Sequence, residues 1–156
     1  MSAVSLTGET RRIVTAYKDH GDRALCETMA DVMARYVFPS WTDGAVISFI
    51  PATGEACRRR GFDHARLLAQ TTARRLDVDA VDLFARPRSR DQRTLGRRGR
   101  IENMRERVRL LPGATAPARV IVVDDVCTTG ATLFAAADAL RASGAREVFG
   151  ATFARA

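Results

Sequence analysis

The sequence lacks the features that would indicate an exported, membrane-bound or metal-stabilised protein. No apolar stretch approaches the roughly 20 residues that a membrane-spanning helix needs, and the N-terminus has no apolar run followed by a cleavage site. The three cysteines form no CxxC pair, and their odd number argues against a closed set of disulfides. We therefore expect a cytoplasmic protein that contacts no membrane and has no structural zinc site.

Lysine is also nearly absent, because only Lys18 among the 25 basic residues is a lysine and the rest are arginines. The segment 86–109 holds ten arginines against three acids, so it alone accounts for the net charge of +7. Such a segment would attract phosphates, either of a nucleic acid or of a small phosphorylated ligand. The alternative is a solvated basic loop with no specific partner.

The length of 156 residues and a hydrophobic content of 46% suit one domain over 1–156. Apolar residues at helical spacing alternate with short runs rich in branched residues, which predicts an α/β protein with a mainly parallel sheet flanked by helices. Residues 1–40 are predicted to pack on this domain as N-terminal helices, and 86–109 to form a long mobile basic loop. The predicted helices cover 8–17, 22–37, 62–76 and the stretch between Gly130 and Gly144. The predicted strands cover 45–50, 81–85, 120–123 and 147–153.

The sharpest motif follows the apolar run 120–123, where Asp124 and Asp125 lead into the hydroxyl-rich stretch 126–132. Ligands of parallel sheets bind outside the carboxyl ends of the strands, so these carboxylates should emerge beside a polar ligand. Adjacent side chains of an extended chain point to opposite sides, so the two acids should differ in role. The following turn should expose backbone N–H groups at a helix N-terminus, which favours an anion such as a phosphate. Helix capping alone would require neither two acids nor three threonines.

This motif resembles the signature with which type I phosphoribosyltransferases bind 5-phosphoribosyl 1-pyrophosphate (PRPP). Further blocks are similar to the ComF family, one branch of that superfamily. They are YKDHGDRAL at 17–25, Ile50-Pro51 followed by RRRGFDHA at 58–65, and RDQRTL at 90–95 with Arg100 and Asn103. The chain lacks the four-cysteine zinc module with which ComF proteins commonly begin.

The resemblance implies a site whose catalytic acids, Asp124 and Asp125, bind the ribose hydroxyls. It implies a Mg²⁺ cofactor, held by the same two acids largely through the ligand. The residues implied for the 5′-phosphate are Val126, Cys127, Thr128, Thr129, Gly130, Ala131 and Thr132. The residues implied for the pyrophosphate are Ala52, Thr53, Arg60, Arg90 and Arg93.

Two functions follow from the resemblance. The first is an enzyme that transfers the phosphoribosyl group of PRPP to an unidentified nitrogen acceptor and releases pyrophosphate. The second is a non-catalytic ComF-type protein that binds PRPP or DNA and assists DNA uptake in competence, with nucleic acid contacting 86–109. The sequence leaves the acceptor and the oligomeric state open.

Overall fold

The described residues form a parallel β-sheet with helices on both faces. The computed structural model describes residues 1–87 and 108–156. Its strands are β1 (Ser2–Ser5), β2 (Val46–Phe49), β3 (Asp79–Ala80), β4 (Arg119–Cys127) and β5 (Glu147–Arg155). They lie in the spatial order β1-β5-β4-β2-β3, and every neighbouring pair of strands is parallel. The predicted α/β class with a mainly parallel sheet is therefore confirmed.

The helices begin and end at residues whose chemistry suits those positions. Helix α5 (His64–Leu76) begins after Asp63, whose side chain accepts a hydrogen bond from the backbone N–H of Arg66 at 3.3 Å. Helix α4 (Gly54–Arg60) is capped by the following residue, Gly61, which has a φ of 77° in the left-handed region that glycine adopts most easily. No helix among residues 1–87 and 108–156 combines the length and apolar character needed to cross a membrane. The helices are α1 (Gly8–Lys18), α2 (Leu25–Tyr36), α3 (Pro39–Thr42), α4 (Gly54–Arg60), α5 (His64–Leu76) and α6 (Ala131–Ala142).

The central strand β4 has one hydrophobic core on each face. Residues 120–123 are at most 1% exposed, because both faces of the strand are covered. Ile121 and Val123 pack in a core shared with α1, α2 and α5. Val120 and Val122 pack in the opposite core, to which α6 contributes Leu140.

This arrangement makes the gap between β2 and β4 a topological switch point. The chain leaves β2 towards α5 on one face of the sheet, and it leaves the neighbouring strand β4 towards α6 on the other face. At such a point the two connections diverge, so a crevice opens outside the carboxyl ends of the strands. The acidic pair stands at this end of β4.

The structure agrees with most predicted elements and corrects one. The predicted helices and the strands 45–50, 120–123 and 147–153 are present, although β4 runs on to Cys127. The strand predicted at 81–85 is wrong, because the strand here is Asp79–Ala80. Leu83 and Phe84 are apolar because they are buried in the core on the α6 face. The described part of the predicted mobile loop, 86–87 and 108–109, flanks residues 88–107, which lie outside the described residues.

Candidate functional site

The acidic pair occupies the end of β4 with its two side chains on different faces of the sheet. Asp125 follows Ile121 and Val123 on the α1 and α5 face, as the alternation of an extended strand requires. β2 has already ended at Phe49, opposite Val123, while β5 continues beside Asp124. The pair therefore lies beside the open end of β2, at the switch point.

Asp125 is buried and held by a cation from a distant part of the chain. Its side chain is 2% exposed, and the ammonium group of Lys18 lies 3.0 Å from Oδ2 and 3.1 Å from Oδ1. Lys18 is the last residue of α1, so this contact joins the first helix to the motif on β4. Nε2 of His64, the first residue of α5, lies 3.7 Å from Oδ2. The motif alone indicated neither partner.

The protonation of His64 follows from its neighbours. Nδ1 lies 3.1 Å from Nη1 of Arg60, and a guanidinium can only donate, so Nδ1 accepts and the ring proton is on Nε2. Burial is the main cause that lowers the pKa of His64; the charge of Asp125 opposes it, and Lys18 and Arg60 add to it, so the net direction is downward. His64 therefore presents a neutral N–H towards Asp125 at 3.7 Å, beyond hydrogen-bond length, and the positive charge next to Asp125 comes from Lys18.

Asp124 differs from its neighbour in environment, as the opposite orientation predicts. Its Oδ1 accepts a hydrogen bond from the backbone N–H of Asp125 at 2.8 Å. Burial, followed by the negative charge of Asp125, raises the pKa of Asp124 from 3.8 to about 7. The pair thus comprises one carboxylate with a bound ammonium and one carboxyl group that ionises reluctantly.

The turn after β4 is shorter than the predicted stretch 126–132. Val126 and Cys127 are still paired with β5, so the turn consists of 128–130, with Ala131 and Thr132 in the first turn of α6. Gly130 caps α6 with a φ of 76°. The first backbone N–H groups of this twelve-residue helix have no partner within the helix, and that of Ala131 donates to Oγ1 of Thr129 at 3.3 Å. An anion placed there is favoured by those groups and by the helix dipole.

A cavity of about 350 Å³ lies beside this turn, between α6 and β5. Thr129 and Gly130 line it, together with two cationic side chains, Arg141 and Arg155. The acidic pair lies outside this lining. The cavity therefore adds two arginine side chains to the surroundings of the turn. The aspartates lie outside the cavity, beside the switch point.

The residues expected at the pyrophosphate are engaged with other parts of the chain. The backbone N–H of Ala52 lies 3.2 and 3.3 Å from the two carboxylate oxygens of Asp63, and Thr53 caps α4. Arg86 donates to the carbonyl of Ala52 and lies 3.1 Å from the carboxylate of Asp63. An acid thus lies against the backbone where the resemblance implies an anion.

The arginines implied for the pyrophosphate have different positions. The side chain of Arg60 is 7% exposed and contacts His64 and Asp19. Arg90 and Arg93 lie outside the described residues. Ala52 and Thr53 lie between the end of β2 and the start of α4, whereas Arg60 is the last residue of that helix, so the helix separates the arginine from the other two.

The fold is that of an α/β protein whose switch point lies between β2 and β4, the position at which parallel sheets of this kind bind ligands. The sequence-family model of the phosphoribosyl transferase domain matches residues 63–156, which are more than half of the chain. The chain therefore belongs to the phosphoribosyl transferase domain family. No curated protein matches it significantly.

Solved structures of similar fold include an orotate phosphoribosyltransferase from Aeropyrum pernix, with a TM-score of 0.51 and 22% identity. That alignment covers 85% of this chain and 60% of the other. A hypoxanthine phosphoribosyltransferase from Staphylococcus aureus aligns with a TM-score of 0.45, 13% identity and coverage of 85% and 62%. The chain thus spans about three fifths of the length of these proteins.

Proposed function

We propose that this chain binds PRPP at the switch point and transfers its phosphoribosyl group to a nitrogen acceptor. The observation that supports this most directly is the sequence of β4, acidic pair, turn and α6. This segment joins the carboxylates at the end of β4 to the N-terminus of α6 through one short turn. A ribose 5-phosphate has a diol and a phosphate at its two ends, and these match carboxylate acceptors and backbone N–H donors.

The reaction would form a bond between the acceptor nitrogen and the anomeric carbon of the ribose. The bond from that carbon to the pyrophosphate oxygen breaks, its electron pair leaves with pyrophosphate, and the acceptor loses a proton. Positive charge builds on the ribose ring during this displacement, so the nearby carboxylate of Asp125 would stabilise it. Holding both reactants in line would contribute further, since orientation can account for about 7–11 kcal/mol of a barrier.

The acidic pair suits the Mg²⁺ that the resemblance implies. Among the described residues the ammonium of Lys18 contacts Asp125 alone, so a second cation would offset the negative charge of Asp125, which adds to burial in raising the pKa of Asp124. Mg²⁺ prefers oxygen ligands and is usually held by one or two carboxylates together with phosphates. Asp124 and Asp125 would hold it, and it would supply neutralisation of the leaving pyrophosphate.

The proposal is tested by measuring pyrophosphate release from PRPP with a panel of bases and amines. Release should require both an acceptor and Mg²⁺, and Asp125→Asn should abolish it. The matched control is Asp138→Asn on the exposed side of α6, which should retain the wild-type rate. Release that Asp125→Asn leaves unchanged would contradict the assignment.

A second candidate function is binding without transfer, as in a ComF-type protein that assists DNA uptake. Two observations favour it: Asp63 contacts the backbone of Ala52 at the implied pyrophosphate site, and the segment 86–109 is rich in arginine. PRPP binding by calorimetry, without pyrophosphate release for any acceptor, would support this candidate. DNA binding should weaken steeply with salt, and binding that is insensitive to salt would remove the DNA role.

A further inference from the structure

The carboxylate of Asp125 is covered by the side chain of Lys18. Asp125 is 2% exposed, whereas the Lys18 side chain is 36% exposed, so Lys18 is the member of this pair that reaches solvent. Its ammonium group spans both oxygens, at 3.0 Å and 3.1 Å. A ribose hydroxyl that donates to Asp125 needs an oxygen-to-oxygen distance of about 2.7–2.8 Å. Hydroxyl and ammonium therefore compete for the same side of the carboxylate.

The carboxylate also retains unused hydrogen-bonding capacity. Oδ2 of Asp125 is buried and has no well-aligned hydrogen-bond donor among the described residues, although the ammonium of Lys18 is near. The N–H of His64 is 3.7 Å away, beyond hydrogen-bond length. A buried carboxylate oxygen without a well-aligned donor gains free energy when a hydroxyl donates a hydrogen bond to it. The contact with Lys18 thus balances charge without completing the hydrogen bonding of Asp125.

We propose that Lys18 is a positioning residue of the sugar site, which holds Asp125 in the empty protein and yields it to the ribose diol. This inference rests on the proposed function and names the step that sugar binding requires, the displacement of one ammonium group. The 5′-phosphate requires no such displacement, because the described contacts of the Lys18 ammonium are with Asp125 rather than with the turn at 128–130. Lys18 should therefore weaken the binding of a ribose phosphate and leave the binding of free phosphate unchanged.

The test is calorimetric titration with ribose 5-phosphate and, separately, with inorganic phosphate at pH 8.5. Lys18→Met should bind ribose 5-phosphate about fivefold more tightly than the wild type, a size typical of a partly exposed charged pair. Its affinity for inorganic phosphate should not change. Lys18→Arg restores the cation and should restore wild-type affinity. Arg12→Met, which removes a charge from the exposed side of the same helix, should leave the ratio of the two affinities unchanged.

The outcomes separate this inference from the proposed function. Equal or weaker binding of ribose 5-phosphate by Lys18→Met would overturn the role of Lys18 while leaving the phosphoribosyl site in place. Absence of binding of both ligands by the wild type and all variants would overturn the proposed function and this inference together. If inorganic phosphate bound as well as ribose 5-phosphate to every variant, the diol would have no contact with the pair, and the role of Lys18 would fall.

A second measurement needs no variant. Because Lys18 is the only lysine, reductive ¹³C-methylation labels one side chain besides the N-terminus. The methyl resonance of Lys18 should shift when ribose 5-phosphate is added, since its ammonium leaves Asp125, and should stay in place with inorganic phosphate. A resonance that responds equally to both ligands would contradict the displacement.

Discussion

Replacing Asp124 by asparagine should stabilise the protein at alkaline pH. Burial and the charge of Asp125 raise the pKa of Asp124 from 3.8 to about 7. A carboxyl group whose pKa is higher in the folded than in the unfolded protein destabilises the fold when it ionises. The loss begins above the unfolded pKa and is complete above the folded one, so stability falls between about pH 4 and about pH 7.

The size of this loss follows from the two pKa values. The difference between 3.8 and about 7 corresponds to about 4 kcal/mol at most. Over the narrower interval from pH 5 to pH 8.5, the same values give a change of about 2–3 kcal/mol. Asparagine cannot ionise, and its side-chain oxygen can still accept the hydrogen bond from the backbone N–H of Asp125. The variant should therefore avoid the loss without creating a cavity.

The assay is urea unfolding of the wild type and Asp124→Asn at pH 5 and pH 8.5, in EDTA so that no divalent cation offsets the charge. The stability advantage of the variant should be larger by about 2–3 kcal/mol at pH 8.5 than at pH 5. Asp138→Asn, on the exposed side of α6, should show no comparable dependence on pH. An advantage that is constant or shrinks with rising pH would refute the account of Asp124.

Three further substitutions test the turn, the support of the site and the core. Gly130→Ala should lower stability by about 1–2 kcal/mol and abolish binding of inorganic phosphate by calorimetry, because φ is 76° and the new methyl group would lie 3.2 Å from the ring of Phe134. Tyr17→Phe should cost about 1–3 kcal/mol in urea unfolding, since the fully buried hydroxyl donates to the carbonyl of His64 at 2.5 Å. Leu140→Ala should cost about 2–5 kcal/mol in the same assay, because this side chain is fully buried between α6 and the sheet. Unfolding free energies that match the wild type would contradict the respective contact.

The parts of the fold that the sequence predicts well are those where local pattern and burial coincide. The run 120–123 is apolar at every position because both faces of β4 are covered, and this is the condition under which such runs form central strands. The edge strands carry no comparable signal: β1 has four residues, and the two residues of β3 are exposed. Phe84 illustrates the opposite error, in which a strand is predicted where there is none. This residue is apolar because it packs against the face of the sheet, although it belongs to no strand.

The site divides in the same way between local and distant contributions. The acidic pair and its turn are contiguous, so their residue types and their position after a strand predict the chemistry of that segment. Lys18 lies 107 residues from Asp125, and nothing in its surroundings on α1 indicates a carboxylate partner. His64 belongs to a block that resembles the ComF family, yet its neutrality depends on burial and on Arg60. Such contacts arise from the packing of helices on the sheet, which local patterns do not encode.

The two ends of the proposed sugar site differ in solvent accessibility, and this difference predicts the order in which the ligand contacts form. Thr128 and Thr129 at the turn are exposed, whereas Asp125 is buried beneath the ammonium group of Lys18. A phosphate can therefore reach the turn without any rearrangement, while a diol must displace a charged partner from a buried carboxylate. Binding at the turn would hold the ribose next to Asp125 and raise the effective concentration of its hydroxyls there. The phosphate should therefore contact the turn before the diol contacts Asp125. Phosphate binding at the turn would then offset part of the free-energy cost of displacing Lys18.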